Sequence, residues 1–425
     1  MVPVATGAAV LPDHSIVVRD GLIHAIEARE LARHNNPEAV RVDLTGQAVI
    51  PGLINAHTHA AMTLLRGFAD DLVLTEWLEQ RIWPAEAEHV SAEFVADGTS
   101  IACAEMLSGG TTAFNDMYFY AASAIQAATD AGIRIGCGLT YLNAPTSYAK
   151  TEDEYIDRGL DAVDTWQGTP LVTFAWAPHS TYAASPASWG RLAKLREDHP
   201  FPVHVHVQET ATEVEHEVEA HGLTPIARIH RAGLLHGPFA GVHAVHLRGG
   251  DIPLLVEGNA SVVHCPSSNM KLASGMSPVT QLLRADVNVG LGTDGAASNN
   301  RLDMWQEMRT AALLAKIQTG DPAALTAEQA LTMATIGSAR SMGIDEFTGS
   351  IEVGKAADLV AVDLSGVASQ PVYDPISHLV YVAGRDDVTN VWVAGRRVLD
   401  NRKLVFIDIE RVKAQAHQWH QRIKA

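Results

Sequence analysis

Pro51-Gly-Leu-Ile-Asn-Ala-His-Thr-His59 is the stretch that decides how this chain is read. An apolar run, Ala48-Val-Ile50, leads into Pro51-Gly52, and a short strand then ends in His-x-His. Residues two apart on a strand point to the same side. His57 and His59 can therefore bite one metal ion from the carboxyl end of that strand. Taken alone, the pair fits equally well with two histidines meeting in a polar turn. The weight comes from the strands downstream and the residues at their ends.

From about residue 54 to 340 the sequence alternates strand and helix. Strand-like runs fall at 111–116, 133–141, 171–180, 202–209, 239–247, 260–269 and 287–295, with helical stretches such as 92–107, 188–197 and 304–316 between them. With the His-x-His strand that makes eight. The runs are continuously apolar rather than alternating, as strands buried on both faces must be. Eight such units in a row predict an α/β chain folded as a (β/α)₈ TIM barrel, whose chemistry sits where the strands end. The two ends of the chain read differently. Residues 15–26 form a hairpin signal around Asp20-Gly21, and 357–364 and 388–398 are again strand-like. The expectation is a small β-sandwich domain built from both termini, 1–53 plus 355–425, around a catalytic barrel at 54–354. Residues 408–425 read as a terminal helix.

Bulk properties narrow the function. At 425 residues the chain can bury a large core, and 47% hydrophobic with 19% charged residues is ordinary for a globular enzyme. A formal charge of −18 argues against nucleic acid or an anionic membrane surface as partner, since phosphate contacts need a basic face. Three cysteines, none in a CxxC, make a disulfide framework unexpected and fit a reducing cytoplasm. The N-terminus lacks a charged segment followed by an apolar one, so no signal peptide is expected. No apolar stretch approaches the roughly 20 residues that span a bilayer.

Polar residues at the strand ends form a constellation. The fourth strand ends in Ala177-Pro-His-Ser180, the fifth in His204-Val-His-Val-Gln-Glu209, the sixth contains His243, the seventh ends in His264-Cys-Pro-Ser-Ser-Asn269, and the eighth in Gly292-Thr-Asp-Gly295. Such groups are costly to bury unless paired or bound. Three neutral nitrogens and a carboxylate oxygen suit one divalent ion, zinc first and iron or manganese next, with a position left for water. The expected ligands are His57, His59, His206 and Asp294. His204, lower in the barrel, is the alternative to His206. Glu209 would carry a proton between water and a leaving group, unless it is a solvent-facing loop residue. His243 would hydrogen-bond the attacking water or an oxyanion, unless it is a satisfied core histidine. His264 reads as structural, and the Cys-Pro-Ser-Ser-Asn after it as a turn shaping the pocket. The fourth strand has no lysine to bridge a second ion, which favours one metal.

In these motifs the chain resembles the amidohydrolase superfamily, and within it the methylthioadenosine/S-adenosylhomocysteine deaminases. The resemblance runs over nearly the whole chain. It rests on residues 51–67, on Trp83-Pro-Ala-Glu86, on residues 109–117, on Ala177-Pro-His-Ser180 and His206-Val-Gln-Glu209, and on residues 264–275 and 292–300. It implies hydrolytic deamination at purine C6 of an adenosine-type thioether, with His57, His59, His206 and Asp294 as ligands. Glu209 would be the proton shuttle to the ring nitrogen beside C6, His243 would sit beside the water, and Asp294 would take the second proton. By resemblance only, Glu86 would accept from the ribose hydroxyls and His179 would touch substrate. The implied partner is a small purine nucleoside thioether, and a homodimer or tetramer is expected by analogy. One departure stands out: the loop after the third strand, 143–150, offers only Lys150 to an amino-acid tail, with Arg66 elsewhere near the pocket. That favours the uncharged methylthio group. The rivals are a guanine or 8-oxoguanine deaminase or a triazine hydrolase of the same superfamily, and, from another class, a metal-free interaction scaffold.

Overall fold

Every residue of the strand Leu53–Thr58 is buried, so the two histidines at its end are presented from inside the molecule. A computed structural model describes residues 1–5 and 9–424 of the chain. In chain order its strands are β1 (His14–Arg19), β2 (Leu22–Ala28), β3 (Gln47–Pro51), β4 (Leu53–Thr58), β5 (Thr111–Tyr118), β6 (Arg134–Tyr141), β7 (Val172–Pro178) and β8 (Val203–Val207). They continue with β9 (Phe239–His243), β10 (Ser261–His264), β11 (Asn288–Leu291), β12 (Leu359–Asp363), β13 (Val388–Val393), β14 (Arg396–Asp400) and β15 (Lys403–Leu404).

β4 to β11 lie side by side in sequence order as an eight-stranded sheet, parallel throughout. Helices such as Ala92–Ser108 and Pro186–Asp198 run between them, and Met304–Thr319 follows the last. The sheet closes on itself at its carboxyl end, where Asp294 N donates to His57 O at 3.0 Å and Thr58 Oγ1 donates to Asp294 O at 2.9 Å. This is the expected TIM barrel, and its seam passes through two of the expected metal ligands.

The rest of the β structure also agrees with the sequence. β3 joins β12–β15 in a five-stranded antiparallel sheet, order β15-β14-β13-β12-β3, drawn from both ends of the chain. β1 and β2 pair across Asp20-Gly21, where φ is 51° and 80°, the positive pair that a two-residue hairpin turn requires. The hairpin lays Ile23 and Ile26 against Leu359 and Trp392 of the sheet, giving two layers. The terminal helix covers Ile409–Lys424, and Ala425 lies outside the described residues. It packs on Ala92–Ser108, with Trp419 Nε1 donating to Asp97 Oδ2 at 2.8 Å.

β3 runs almost directly into β4 through Gly52. A Cβ there would stand 1.9 Å from Thr112 Oγ1, so only glycine allows the small sheet to feed the barrel at this point. Among the described residues no helix is long and apolar enough to cross a membrane.

The sixth, seventh and eighth barrel strands are shorter than the sequence suggests. They stop at His243, His264 and Leu291 rather than running to 247, 269 and 295. After β10 the chain turns at once into a helix, Pro266–Lys271. Pro266 stands in its first turn, where a proline's missing N–H costs nothing.

Candidate active site

The ligand atoms of His57, His59, His206 and Asp294 all lie within 4.8 Å of one another. His57 Nε2 is 3.3 Å and His59 Nε2 3.1 Å from Asp294 Oδ1, and His206 Nε2 is 3.2 Å from His57 Nε2. Each imidazole is turned so that Nε2 faces the others while Nδ1 is occupied elsewhere. His59 Nδ1 is 2.6 Å from Met117 O, and His206 Nδ1 is 2.8 Å from His179 O. Both nitrogens must carry a proton to donate to a carbonyl, which leaves the Nε2 lone pair free. His57 Nδ1 lies 2.8 Å from His204 Nε2. His204 is therefore behind a member of the group rather than within it, and its own Nδ1 is buried without a partner.

The electrostatics ask for a cation here. Burial pushes the His57 imidazole down to about 3 and holds His206 and His204 well below the ordinary range, so these rings are neutral. Burial opposes charge on Asp294 as well, but the hydrogen bonds of His57 and His59 outweigh it and hold its carboxyl well below the usual range. His59 is disfavoured as a cation by burial, yet Asp294, the Met117 carbonyl and Asp116 together lift it to about 9. An anion buried among neutral rings thus borrows a proton on His59, the place a divalent ion would take. Three nitrogens and one carboxylate oxygen are the donor set of a zinc-class ion, and the group fits one.

The second oxygen of Asp294 is clamped. Ser268 Oγ and Ser298 Oγ each donate to Oδ2 at 2.7 Å, which turns Oδ1 toward the histidines. Neither serine is singled out by sequence reasoning, although both lie in the motifs that carry the family resemblance. The backbone is also unusual at the strand ends. Gln208, His243, Ala244 and Asp294 have φ of 53°, 71°, 44° and 60°. Left-handed residues other than glycine cost on the order of 1–3 kcal/mol each and gather at functional sites. Here they fall at or just past the ends of their strands, and Gln208 is followed directly by Glu209 at the cavity wall.

A cavity of about 650 Å³ opens over the group, lined among others by Glu86, His179, Glu209 and His243. Glu209 Oε1 accepts from Ser274 Oγ at 3.0 Å, and Oε2 is 3.8 Å from His243 Nε2. His243 Nδ1 is 2.8 Å from Asn269 Oδ1. Glu86 Oε1 accepts from Tyr118 O–H at 2.6 Å, and burial raises its carboxyl, with that hydrogen bond pulling the other way. Burial lowers His179 to about 4, so its ring is neutral. Seven of the eight residues picked out of the sequence therefore line one cavity, and His57 joins three of them in the converging ligand group. His264 is buried away from the cavity lining. Arg66 is not among the lining residues either. It is paired with Glu105 and the Asn300 carbonyl. A separate, largely exposed group, His230, His236 and Glu257, also brings ligand atoms within 4.8 Å, but it lies on segments that lead into the starts of β9 and β10, at the opposite end of the barrel.

Residues 48–398 match the amidohydrolase family. The chain belongs to that family. Among relatives of this amidohydrolase is a 5-methylthioadenosine/S-adenosylhomocysteine deaminase of Teredinibacter turnerae, 41% identical over 425 residues, which span 100% of this chain and 96% of the relative. A solved structure of an adenosine deaminase from Xanthomonas campestris with bound zinc is 46% identical and superposes with a TM-score of 0.96, covering 100% of this amidohydrolase and 96% of that chain. A zinc-complexed atrazine chlorohydrolase of Arthrobacter aurescens, at 24% identity, 96% and 95% coverage and a TM-score of 0.89, shares the fold.

Proposed function

We propose that this amidohydrolase removes the 6-amino group of 5′-methylthioadenosine as ammonia and leaves the inosine analogue, with S-adenosylhomocysteine as a poorer substrate. One observation carries the reading. Four converging ligand atoms, an acid and a histidine open on a single cavity, in a chain 41% identical over its full length to a protein named for that deamination.

His57, His59, His206 and Asp294 would hold a zinc ion, which when bound supplies a Lewis acid and water deprotonated near neutrality. Glu209 sits at the cavity wall with its carboxylate steadied by Ser274. In this role it takes the proton given up by water and delivers it to the ring nitrogen beside C6. His243 keeps its Nδ1 proton on Asn269 and so turns Nε2 toward Glu209 and the oxygen arriving at C6. Asp294, held by its two serines, receives the remaining proton and returns it to the departing amine. Glu86 accepts from the ribose hydroxyls, and His179 lines the purine side. On this reading 54–354 is the catalytic unit and 1–53 with 355–425 brace it. Self-association into a dimer or tetramer is part of the same proposal, and sedimentation velocity measures it.

The preference for methylthioadenosine comes from charge. Among the described residues no lysine or arginine lines the cavity. Lys150 is spent on the Thr146 carbonyl at 2.6 Å, and Lys271 on Asp70 at 2.6 Å. A homocysteine tail would leave its carboxylate without a cation. A missing hydrogen bond to a charged group is worth about 1.5–3 kcal/mol, or roughly 10–100-fold in kcat/KM. The test is the ultraviolet change of the purine when zinc-loaded protein meets methylthioadenosine, S-adenosylhomocysteine, adenosine and guanine in parallel. Rapid conversion of methylthioadenosine is expected. Silence on every adenosine compound with metal bound would overturn the assignment.

A further inference from the structure

The backbone amide of Glu209 is bonded from outside the cavity. Gln208 and Glu209 form the turn between β8 and the helix Ala211–His221, whose N-cap is Thr210. Thr210 Oγ1 accepts from Glu213 N at 3.2 Å. A glutamate at this third helical position ordinarily reaches back to the N–H of the capping residue. Glu213 reaches further. Its Oε1 accepts from Gln208 N at 2.9 Å and its Oε2 from Glu209 N at 2.8 Å, so both oxygens are used on the two residues ahead of the cap.

Gln208 needs this support. At φ 53° it sits in the left-handed region, which costs an ordinary residue roughly 1–2 kcal/mol. Its side chain is fixed as well, with Nε2 donating to His246 O at 2.8 Å and to Asp251 Oδ2 at 2.9 Å. With Gln208 bent this way and the Glu209 N–H tied to a buried carboxylate, the Glu209 side chain is delivered toward Ser274 and His243. Burial pushes the Glu213 carboxyl up to about 7, against the hydrogen bond from Gln208, so above that pH these bonds are charge-assisted and about twice as strong as neutral ones. Glu213 is 9% exposed and is absent from both the cavity lining and the ligand group.

We infer that Glu213 is the positioning residue of the proton carrier: one buried carboxylate grips two consecutive amides and thereby sets where the Glu209 carboxylate can be. The inference rests on Glu209 acting as that carrier.

The experiment compares Glu213→Gln and Glu213→Ala with wild type in the zinc-loaded full chain. Glutamine keeps the size and one acceptor oxygen but turns an NH₂ toward the second amide. Displacing a reacting group by an ångström costs up to about 100-fold, so kcat should fall about tenfold in Glu213→Gln and about 100-fold in Glu213→Ala. KM should stay within about threefold, because groups that bind the ground state are untouched. Glutamine should therefore rescue part of what alanine loses. Hydrogen exchange of the amides of 208 and 209, measured without substrate, should quicken at least about tenfold in Glu213→Ala. Unchanged exchange would overturn the grip itself, and faster exchange with unchanged kcat would overturn its role in turnover. If the alanine variant fails to fold, the glutamine variant decides both points. A wild type that deaminates none of the purines would instead sink the proposed substrate, while the exchange measurement still judges Glu213.

Discussion

A histidine serves a metal well only when its second nitrogen is engaged, and here all three are. Met117 O, His179 O and His204 Nε2 each hold one Nδ1. His206→Ala should therefore lose zinc and activity together. His204→Ala, which removes only the partner of His57, should weaken zinc binding about 10–100-fold, as outer partners of ligands generally do. A competitive chelator titration separates the two, and equal, tight binding by His206→Ala would name His204 the ligand. Glu209→Gln should keep one zinc per chain and lose about 10²–10⁴-fold in kcat, the range supplied by a positioned proton-transfer group. Near-normal turnover in that variant would end its assignment as the carrier. His57, His59, Glu209 and Asp294 could be read from the sequence because imidazoles and carboxylates at the ends of apolar strands have few other uses. Ser268, Ser298 and Glu213 could not. Serine and glutamate are common in loops and first helical turns; Ser268 meets Asp294 only through a fold that brings residues 26 apart together, and Ser298 and Glu213, though four or five residues from their partners, gain meaning only from how the local chain turns.

The elements were legible by type more than by length. Apolar runs marked β9, β10 and β11, but they gave no sign that β9 ends where the chain enters left-handed geometry at His243, that β10 gives way to a helix at Pro266, or that β11 stops at Leu291, three residues before Asp294. Two of the resulting segments are joined from below. Glu307 is fully buried, accepting from Ser267 N at 3.1 Å and from Asn299 Nδ2 at 2.9 Å. Burial pushes its carboxyl up to about 7, with the hydrogen bonds from Ser267 and Asn299 opposing. A carboxyl raised above its unfolded value favours the fold while protonated. Its contribution is complete below the unfolded value of about 4.5 and is lost as pH rises through about 7. The stability difference between wild type and Glu307→Gln should therefore move against wild type between about pH 5 and pH 8, on the order of 3 kcal/mol. Urea unfolding at several pH values measures it, and a pH-independent difference would refute it.

At the scale of the molecule, Asp358 fastens the small sheet to the barrel. Arg134, which opens β6, grips it with Nε at 2.6 Å and Nη2 at 3.1 Å, Thr348 Oγ1 donates at 2.6 Å, and Ala394 N donates at 2.6 Å. The side chains of Arg134 and Asp358 are only 12% and 1% exposed. Removing one partner of a buried pair costs about 3–5 kcal/mol, since the other charge is left without its partner. Asp358→Asn should lower unfolding stability by that amount while the folded fraction keeps its kcat. Both β-rich ends of the chain announce the sheet, but nothing in the sequence pairs Arg134 with Asp358, 224 residues away. The same long reach shapes how the protein is made. β3 precedes the barrel, yet its neighbour in the sheet is β12, with Pro51 opposite Leu359. A ribosome adding about 5–20 residues per second needs roughly 15–60 s to travel between them. For that interval the nascent chain trails an apolar strand whose hydrogen-bonding edge has no native mate, so a strand made before the barrel is shielded only after it, and slower translation ahead of residue 359 lengthens its time as a target for chaperones or misassembly.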